Sequence, residues 1–187
     1  MKFLIDKVEN IRREIQAIKL KPDSTVTNPL HDRIATQSSV YSNYYQAYFA
    51  IDGNRASYFN SHSCSCTNSD YNPWWRVDLL AVYDISNVII TNRGDCCPER
   101  INGAEIHIGN SLLNNGNNNP RCDVIASIPG GASANYTCKM RGRYVTIIIP
   151  NVSQYLTLCE VEIYGVPGYT FISSSQFHIN LKSNKVL

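Results

Sequence analysis

Residues 93–100, Arg-Gly-Asp-Cys-Cys-Pro-Glu-Arg, place two arginines, two carboxylates and two adjacent cysteines in one short segment. At this spacing a tight loop brings the guanidinium groups of Arg93 and Arg100 to one point, where they present several fixed hydrogen-bond donors. A neutral ligand with hydroxyl and ring oxygens offers the matching acceptors. Asp95 and Glu99 are predicted to hold the arginines in place, because a buried guanidinium group without a partner is costly. The segment predicts a binding site for a hydroxyl-bearing ligand.

The chain lacks the groups that an enzyme needs. A glycoside hydrolase built here would use Asp95 and Glu99, but flanking arginines favour the charged carboxylate, whereas a general acid must hold its proton. The sequence has no Ser/His/Asp nucleophile motif and no open metal motif. We therefore expect a binding protein and not an enzyme.

Two other interpretations of residues 93–100 remain open at this point. The segment taken alone is also typical of a salt-bridged turn without a ligand. Its first three residues, Arg93-Gly94-Asp95, form the tripeptide of integrin adhesion. Such adhesion needs an exposed flexible loop, whereas two cysteines and Pro98 follow at once.

The cysteines and glycosylation sequons indicate an oxidising, extracellular compartment. The seven cysteines match no zinc-binding spacing, which favours disulfide bonds. The sequons Asn135-Tyr136-Thr137 and Asn151-Val152-Ser153 predict N-linked glycans on Asn135 and Asn151. We therefore expect a secreted protein, although residues 1–5 form too short an apolar run to be a signal peptide.

Charge and hydropathy exclude two classes of partner. The 187 residues include 17 basic and 15 acidic ones, giving a net charge of +2. These charges are interspersed and form no basic stripe, so we expect no nucleic-acid partner. No apolar run reaches the roughly 18 residues of a membrane span, so we expect no membrane insertion.

Residues 1–21 have the apolar repeat of a coiled coil, which predicts an oligomerisation helix ending before Pro22. Mostly β-branched residues at both core positions favour a homotrimer over a dimer. The alternative is an amphipathic helix that packs on its own domain. The five core positions, spaced by four and three residues in turn, are Leu4, Val8, Ile11, Ile15 and Ile18.

From about residue 25 the pattern changes to short alternating or β-branched segments separated by Gly, Asn, Pro and Ser. Many short strands without a helical period predict an all-β sandwich. Trp74 and Trp75 are predicted core residues. Residues 167–187 form a tail that could add one more strand. The clearest predicted strands are 77–79, 88–90, 104–108, 144–149 and 160–164.

Residues 25–166 resemble the F-type, or fucose-binding, lectins. Residues 35–39 and 72–79 match the wider discoidin and coagulation-factor C-domain superfamily, while Arg-Gly-Asp-Cys-Cys-x-Glu-Arg is specific to these lectins. The resemblance implies an eight-stranded jelly-roll β-sandwich over residues 22–166. It also implies a calcium-stabilised lectin that recognises terminal L-fucose on glycans, in innate immune recognition or agglutination. Further segments that match are residues 50–55 and 158–162.

The resemblance also implies how the cysteines pair and where the sugar lies. The implied disulfides are Cys64–Cys159, Cys96–Cys97 and Cys122–Cys138. In these lectins Arg93 and Arg100 would bind the sugar with a histidine as the third member. The disulfide of Cys96 and Cys97 would offer a rigid apolar platform to one face of the fucose.

This chain lacks the expected histidine. An ungapped alignment places Cys66 at its position, and an alignment with a two-residue deletion places Asn68 there. His62 could instead swing in to replace it. The loss of one polar contact of this kind costs about 1–3 kcal/mol, so we expect weaker or altered sugar binding. Cys66 is also left without a disulfide partner, which predicts an intermolecular bridge or a capped thiol.

One structural Ca²⁺ ion near the sugar site is the last implication of the resemblance. Oxygen ligands of this kind suit calcium. An alternative function is a structural or adhesion protein that has lost sugar binding and acts through its coil and tail. The implied ligands are the carboxylates of Asp52 and Glu160, the backbone carbonyls of Phe49, Asn54 and Cys159, and the carbonyl and hydroxyl of Ser63.

Overall fold

The computed structural model describes residues 35–168 and the backbone of residues 18–19. Within these residues the regular elements are β-strands and short 3-10 turns, without an α-helix. None of the described helices is long and apolar enough to cross a membrane. The strands are β1 (Ile18–Lys19), β2 (Ala35–Gln37), β3 (Ser65–Cys66), β4 (Asp70–Tyr71), β5 (Trp74–Thr91), β6 (Glu105–Gly109), β7 (Arg121–Val124), β8 (Ser133–Ile148), β9 (Ser153–Gln154), β10 (Thr157–Leu158) and β11 (Glu160–Pro167). The 3-10 turns are Ala47–Ile51, Phe59–Ser61, Pro98–Ile101 and Leu113–Gly116.

Two long strands, β5 and β8, belong to both layers of the jelly-roll sandwich. The first part of β5 pairs with β2 and with the last part of β8, and its second part pairs with β11 and the first part of β8. The register between β5 and β8 breaks between Asp78 and Tyr83, and Leu80 there has φ of 63°. A single seven-stranded sheet, in the order β1-β11-β5-β8-β6-β7 with β2 beside β5, therefore folds over at this bend.

The predicted strands 77–79 and 88–90 are thus two parts of β5, and 144–149 is the end of the longer β8. The sequence hides this continuity because residues 79–83 at the bend, Leu-Leu-Ala-Val-Tyr, break the alternation of polar and apolar residues.

Alternating side chains of both layers meet in one hydrophobic core. Val77, Val88 and Ile90 of β5 are all buried. Trp75 is fully buried, and its indole N–H donates to the carbonyl of Ala47 at 2.9 Å. Trp74 is only partly buried, in contrast to the prediction for it, and the guanidinium of Arg76 lies 5.2 Å from its ring.

The all-β fold class is as predicted, but the end of the N-terminal helix is not. Ile18, the last predicted core position of the heptad repeat, lies in β1 and pairs with Gly165 of β11. Residues 1–17 of the predicted helix, its end at residues 20–21 and residues 169–187 of the predicted tail lie outside the described residues. Pro167 belongs to β11 and not to the tail.

Three disulfides have the pairing that the family resemblance implied. Cys64–Cys159 ties the segment before β3 to the segment before β11, and Cys122–Cys138 joins β7 to β8. Cys96–Cys97 lies within the arginine-containing segment. Cys66 is free and buried.

Candidate functional site

A cavity of about 270 Å³ lies at one end of the sandwich, where the two ends of β5 emerge. It brings together Arg93, Arg100 and Cys66, three residues that the sequence singled out, from the loop after β5 and from β3. Three aromatic side chains complete its wall. They are Tyr41, Phe59 and Tyr155.

Arg93 is fixed from two sides. Its Nε and Nη2 donate to the two carboxylate oxygens of Asp95, each at 2.9 Å. Its guanidinium carbon lies 3.9 Å from the ring centroid of Phe59, close enough for a cation–π interaction. The hydrogen bond from Arg93 is the main cause that lowers the pKa of Asp95 to about 2, and the same bond raises the pKa of Arg93. Arg93 therefore stays charged and oriented, with Nη1 making no hydrogen bond within residues 35–168.

Arg100 is held differently from the prediction. Its guanidinium carbon lies 5.0 Å from the ring centroid of Tyr155. Glu99, expected to hold an arginine, has an exposed side chain and forms no ion pair within residues 35–168. An aromatic face can orient a guanidinium group while leaving its N–H donors available, because the interaction uses the flat face of the group.

Cys66 takes the position at the base of the cavity. Its side chain is 2% exposed, and its sulfur lies 3.3 Å from the hydroxyl of Thr157. Burial is the main cause that raises the pKa of this thiol. The two alternatives for the missing histidine, Asn68 and His62, are exposed and do not line the cavity. Of the three candidates, Cys66 is therefore the one that lines the cavity.

This burial corrects one expectation for the seventh cysteine. A bridge to a second chain requires an accessible sulfur atom, and that of Cys66 is enclosed. In the structure it is a free thiol inside the chain.

Asn92 organises the arginine-containing loop, and sequence reasoning missed it. It is 2% exposed, and its Nδ2 donates to the carbonyls of Pro98 at 2.9 Å and Ile128 at 2.8 Å. Its Oδ1 accepts from the backbone N–H of Arg93 at 2.8 Å. One buried amide therefore connects the start of the loop to the 3-10 turn that carries Arg100.

Gly94 allows the loop to pack closely against two other segments of the protein, at Ser57 and Gly131. Its N–H donates to the carbonyl of Ser57 at 2.8 Å. A Cβ atom at this position would approach Ser57 Oγ to 2.7 Å and Gly131 Cα to 3.2 Å. Because Arg93 and Asp95 bind each other across this glycine, the tripeptide is not an open adhesion loop.

The Cys96–Cys97 disulfide occupies the outer part of the same loop. Both residues are half-buried, and Cys97 has φ of 55°. Neither residue lines the cavity. The apolar surface of the cavity comes from its aromatic rings, which the sequence analysis did not identify. The first and last of them, Tyr41 and Tyr155, are 114 residues apart in the sequence, so no local motif contains all three.

The chain matches the model of the NedA-like, galactose-binding domain over residues 49–147. It is 59% identical to fucolectin-1 of Anguilla japonica over 117 residues, which are 62% of this chain and 65% of that protein. It is 56% identical to the fucolectin of Anguilla anguilla over 116 residues, which are 61% of this chain and 73% of that protein. The chain belongs to the F-type lectin family. Its relatives are lectins, so the expectation of a binding protein and not an enzyme is confirmed.

The fold of this F-type lectin agrees with that assignment. A crystal structure of an F-lectin from Morone saxatilis serum superposes with a TM-score of 0.70 at 53% identity, covering 74% of this chain and 48% of that one. The chain spans between 61% and 65% of the length of three fucolectins of Anguilla japonica.

Two of the expected calcium ligands of the lectin, Ser63 and Glu160, are next in sequence to the Cys64–Cys159 disulfide, and Cys159 is part of it. Glu160 is buried, and its Oε2 accepts from the N–H of Gly53 at 3.2 Å. Asp52 Oδ1 accepts from the N–H of Asn54 at 2.7 Å. Ser63, fully buried, donates to the carbonyl of Ala56. The described residues contain no group of three or more His, Cys, Asp or Glu that could hold a metal. A set with two carboxylates and several carbonyls suits a hard cation such as Ca²⁺.

Both predicted glycosylation sites are accessible. Asn135 is exposed on β8, where its Oδ1 accepts from Asn87 Nδ2 at 3.0 Å. Asn151 is exposed in a turn, with φ of 63°. A glycan at either position would point into solvent.

Proposed function

We propose that this chain is a lectin that binds terminal L-fucose on glycans in the cavity between Arg93 and Arg100. The observation that carries the proposal is the convergence of two guanidinium groups on a cavity walled by aromatic rings. Ligand sites for neutral molecules commonly combine apolar walls with a few oriented polar groups. The names of the fucolectin relatives support fucose as the sugar.

The two arginines supply donors of different character. Arg93 is neutralised by Asp95, so it presents fixed donors with little net charge, as a neutral sugar requires. The guanidinium of Arg100 lies over the ring of Tyr155, and its N–H groups, which donate to no group within residues 35–168, can reach hydroxyl and ring oxygens. The apolar C–H face of a deoxy sugar loses contact with water against Tyr41, since Arg93 and Tyr45 cover the two faces of Phe59. The orientation of the sugar ring in the cavity therefore follows from the pattern of its acceptor atoms and from its apolar face.

Cys66 weakens this site. A thiol is a poor hydrogen-bond donor, and that of Cys66 already contacts Thr157. Residue 66, which should donate or accept a strong hydrogen bond to the sugar, thus provides only a weak one. We expect fucose to bind about ten- to a hundredfold less tightly than in a variant with an imidazole here.

Titration calorimetry with free L-fucose tests the proposal. Cys66→His should raise the affinity by roughly tenfold or more. Cys66→Ala is the matched control, because it removes only the weak S–H group, and its affinity should stay within about threefold of the unchanged protein. Arg100→Ala should abolish detectable binding. No fucose binding by either the unchanged protein or Cys66→His would contradict the proposal and favour a jelly roll that has lost sugar binding.

We also infer a structural Ca²⁺ ion held by Asp52 and Glu160, with Ser63 and backbone carbonyls of Phe49, Asn54 and Cys159. Bound there, the cation would neutralise two carboxylates, of which Glu160 is buried. Differential scanning fluorimetry should give a lower melting temperature in excess EDTA, restored by Ca²⁺ and not by Mg²⁺. Glu160→Gln is the control and should lose this response. A melting temperature that EDTA leaves unchanged would count against the ion.

A secreted homotrimer acting in innate immune recognition or agglutination is the wider proposal. Its support is the heptad pattern of residues 1–17, the three disulfides and the family of the chain. Three sites on one trimer would bind dense glycans more strongly than one site does, which offsets a weak single contact. Sedimentation analysis tests the trimer, and a glycan array tests the ligand. Binding outside the fucosylated glycans, or none, would contradict the lectin proposal.

A further inference from the structure

One positive charge in the cavity has no acidic partner among residues 35–168. The charge of Arg93 is paired with Asp95, whose Oδ1 lies 2.9 Å from its Nε. The guanidinium of Arg100 instead lies 5.0 Å from the ring centroid of Tyr155 and forms no ion pair within the described residues. Glu99, its neighbour in sequence, is exposed and does not pair with it. A neutral sugar uses the N–H donors of Arg100 but leaves this charge without a counter-charge.

The base of the cavity, at the thiol of Cys66, lies in the field of both arginines. Burial raises the pKa of this thiol, so the sulfur stays protonated and uncharged. The charges of Arg93 and Arg100 act in the opposite direction, because they favour a negative charge at this position. A negative group of a ligand placed beside the thiol would be stabilised by the same two guanidinium groups.

The donors around this position suit a tetrahedral oxyanion. Nη1 of Arg93 makes no hydrogen bond within residues 35–168, and the N–H groups of Arg100 donate to no group in the same part of the chain. Hydrogen bonds between charged partners are roughly twice as strong as those between neutral ones. Two guanidinium groups on separate walls of the cavity can bind different oxygens of one sulfate, whereas a carboxylate offers two oxygens in one plane.

The cavity has room for such a group beside a sugar ring. Its volume is about 270 Å³. A cavity of roughly 150 Å³ is enough to hold a benzene ring. The cavity therefore accepts a six-membered sugar ring with one further substituent, and the thiol of Cys66 at its base is a small group that leaves space there.

We propose that the cavity prefers a terminal L-fucose that carries one sulfate ester, with the ester beside Cys66 and between the guanidinium groups of Arg93 and Arg100. This inference rests on the proposed fucose site and names a charged class of its ligand. A sulfate ester carries one negative charge, which matches the one unpaired charge of Arg100. A phosphate monoester carries close to two near neutral pH and fits this balance less well.

Titration calorimetry with the full chain should compare methyl α-L-fucoside with its monosulfates at the 2-, 3- and 4-hydroxyl. One monosulfate should bind roughly five- to tenfold more tightly than the neutral fucoside at low salt. In about 1 M NaCl this gain should largely disappear, because charges are then screened over about 3 Å, while the affinity for the neutral fucoside stays the same. Inorganic sulfate should bind far more weakly than the preferred ester, because it lacks the sugar ring.

Two variants at the base of the cavity separate charge from shape. Cys66→Asp places a negative charge where the ester is proposed to lie, so the monosulfate should then bind less tightly than the neutral fucoside. Cys66→Asn has the same shape without the charge and should keep the preference for the ester. Circular dichroism melts show whether each variant is folded. If Cys66→Asp does not fold, the salt dependence in the unchanged protein decides the question.

The possible results are distinguishable. Equal or weaker binding of all the monosulfates overturns the preference for the ester and leaves the fucose site standing. A gain that persists in about 1 M NaCl, or that inorganic sulfate reproduces, also overturns it, because the ester would then not act through its charge on a bound sugar. If the unchanged protein binds neither the neutral fucoside nor a monosulfate, the proposed function itself fails.

Discussion

Replacement of Asn92 by alanine should destabilise the domain and damage the sugar site together. The change removes a side chain that is 2% exposed and that satisfies three backbone groups, the N–H of Arg93 and the carbonyls of Pro98 and Ile128. A buried polar group left without its partner costs about 1–3 kcal/mol. Water entering the space restores part of this loss. We expect the free energy of unfolding to fall by about 2–4 kcal/mol.

Asn87, on the strand β5 that leads into Asn92, provides a matched control. Its Nδ2 also donates two hydrogen bonds, to Asn135 Oδ1 at 3.0 Å and Thr137 Oγ1 at 3.3 Å, but both are exposed to solvent. Water can replace both bonds in Asn87→Ala. The expected loss is therefore less than about 1 kcal/mol.

Urea unfolding and thermal melts of the two variants measure the difference. In a domain of this size, about 2–4 kcal/mol corresponds to a melting temperature lower by roughly 5–15 °C. Asn92→Ala should also bind L-fucose more weakly at a temperature where it remains folded, because Arg93 and Arg100 lose their common support. Equal melting temperatures for the two variants, or full fucose affinity in Asn92→Ala, would refute the role assigned to this amide.

Three further predictions concern the same loop and Cys66 in the neighbouring cavity. Asp95→Asn removes an ion pair whose stabilisation is present above the ordinary carboxyl pKa of about 3.9 and is lost as the pH falls through about 2. Urea unfolding should show that the free energy of unfolding is lower than that of the unchanged protein by about 1 kcal/mol at pH 7, a small value because solvent screens this partly exposed pair. This difference should shrink below pH 4, and a difference independent of pH would disprove the pairing. Gly94→Ala should lower stability by about 1–3 kcal/mol in the same assay, because its Cβ atom would meet Ser57 and Gly131, and a neutral result would show that these neighbours move freely. When the protein is unfolded without reductant, iodoacetamide should alkylate a single cysteine, Cys66, because the other six are paired. The folded protein should not be labelled, because Cys66 is enclosed, and rapid labelling would contradict its burial.

The sequence identified the residues that carry a motif and missed those that meet only through folding. Arg93 and Arg100 lie within one local segment, so their spacing was enough to place them together. Tyr41, Phe59 and Tyr155 come from three separate loops, and their meeting depends on how the strands between them are ordered. Asn92 was missed for a different reason. An asparagine next to a loop has ordinary composition, and only its burial and its three partners show that it supports the site.

The same distinction applies to the fold. Alternation predicted an all-β sandwich because it reports which side chains face the core. It could not show that β5 continues through a bend, since the apolar residues around Leu80 interrupt the alternation. Nor could alternation show that Ile18, predicted to be a core position of the heptad repeat, lies in a strand that pairs with β11.

The bend of β5 also fixes the direction in which the proposed sugar site faces. Both ends of β5 lie at the cavity, since Gln37 beside Trp75 bonds to Cys66 and the strand leads directly into Arg93. The bend therefore lies at the opposite end of the sandwich. β1 pairs with the part of β11 towards that end, and the N–H of Gly168 donates to Val82 at the bend. The two boundaries of the domain thus lie away from the cavity. If chains were joined through their N-terminal residues, as proposed above, their cavities would stay clear of the junction, which multivalent binding to a glycan surface requires.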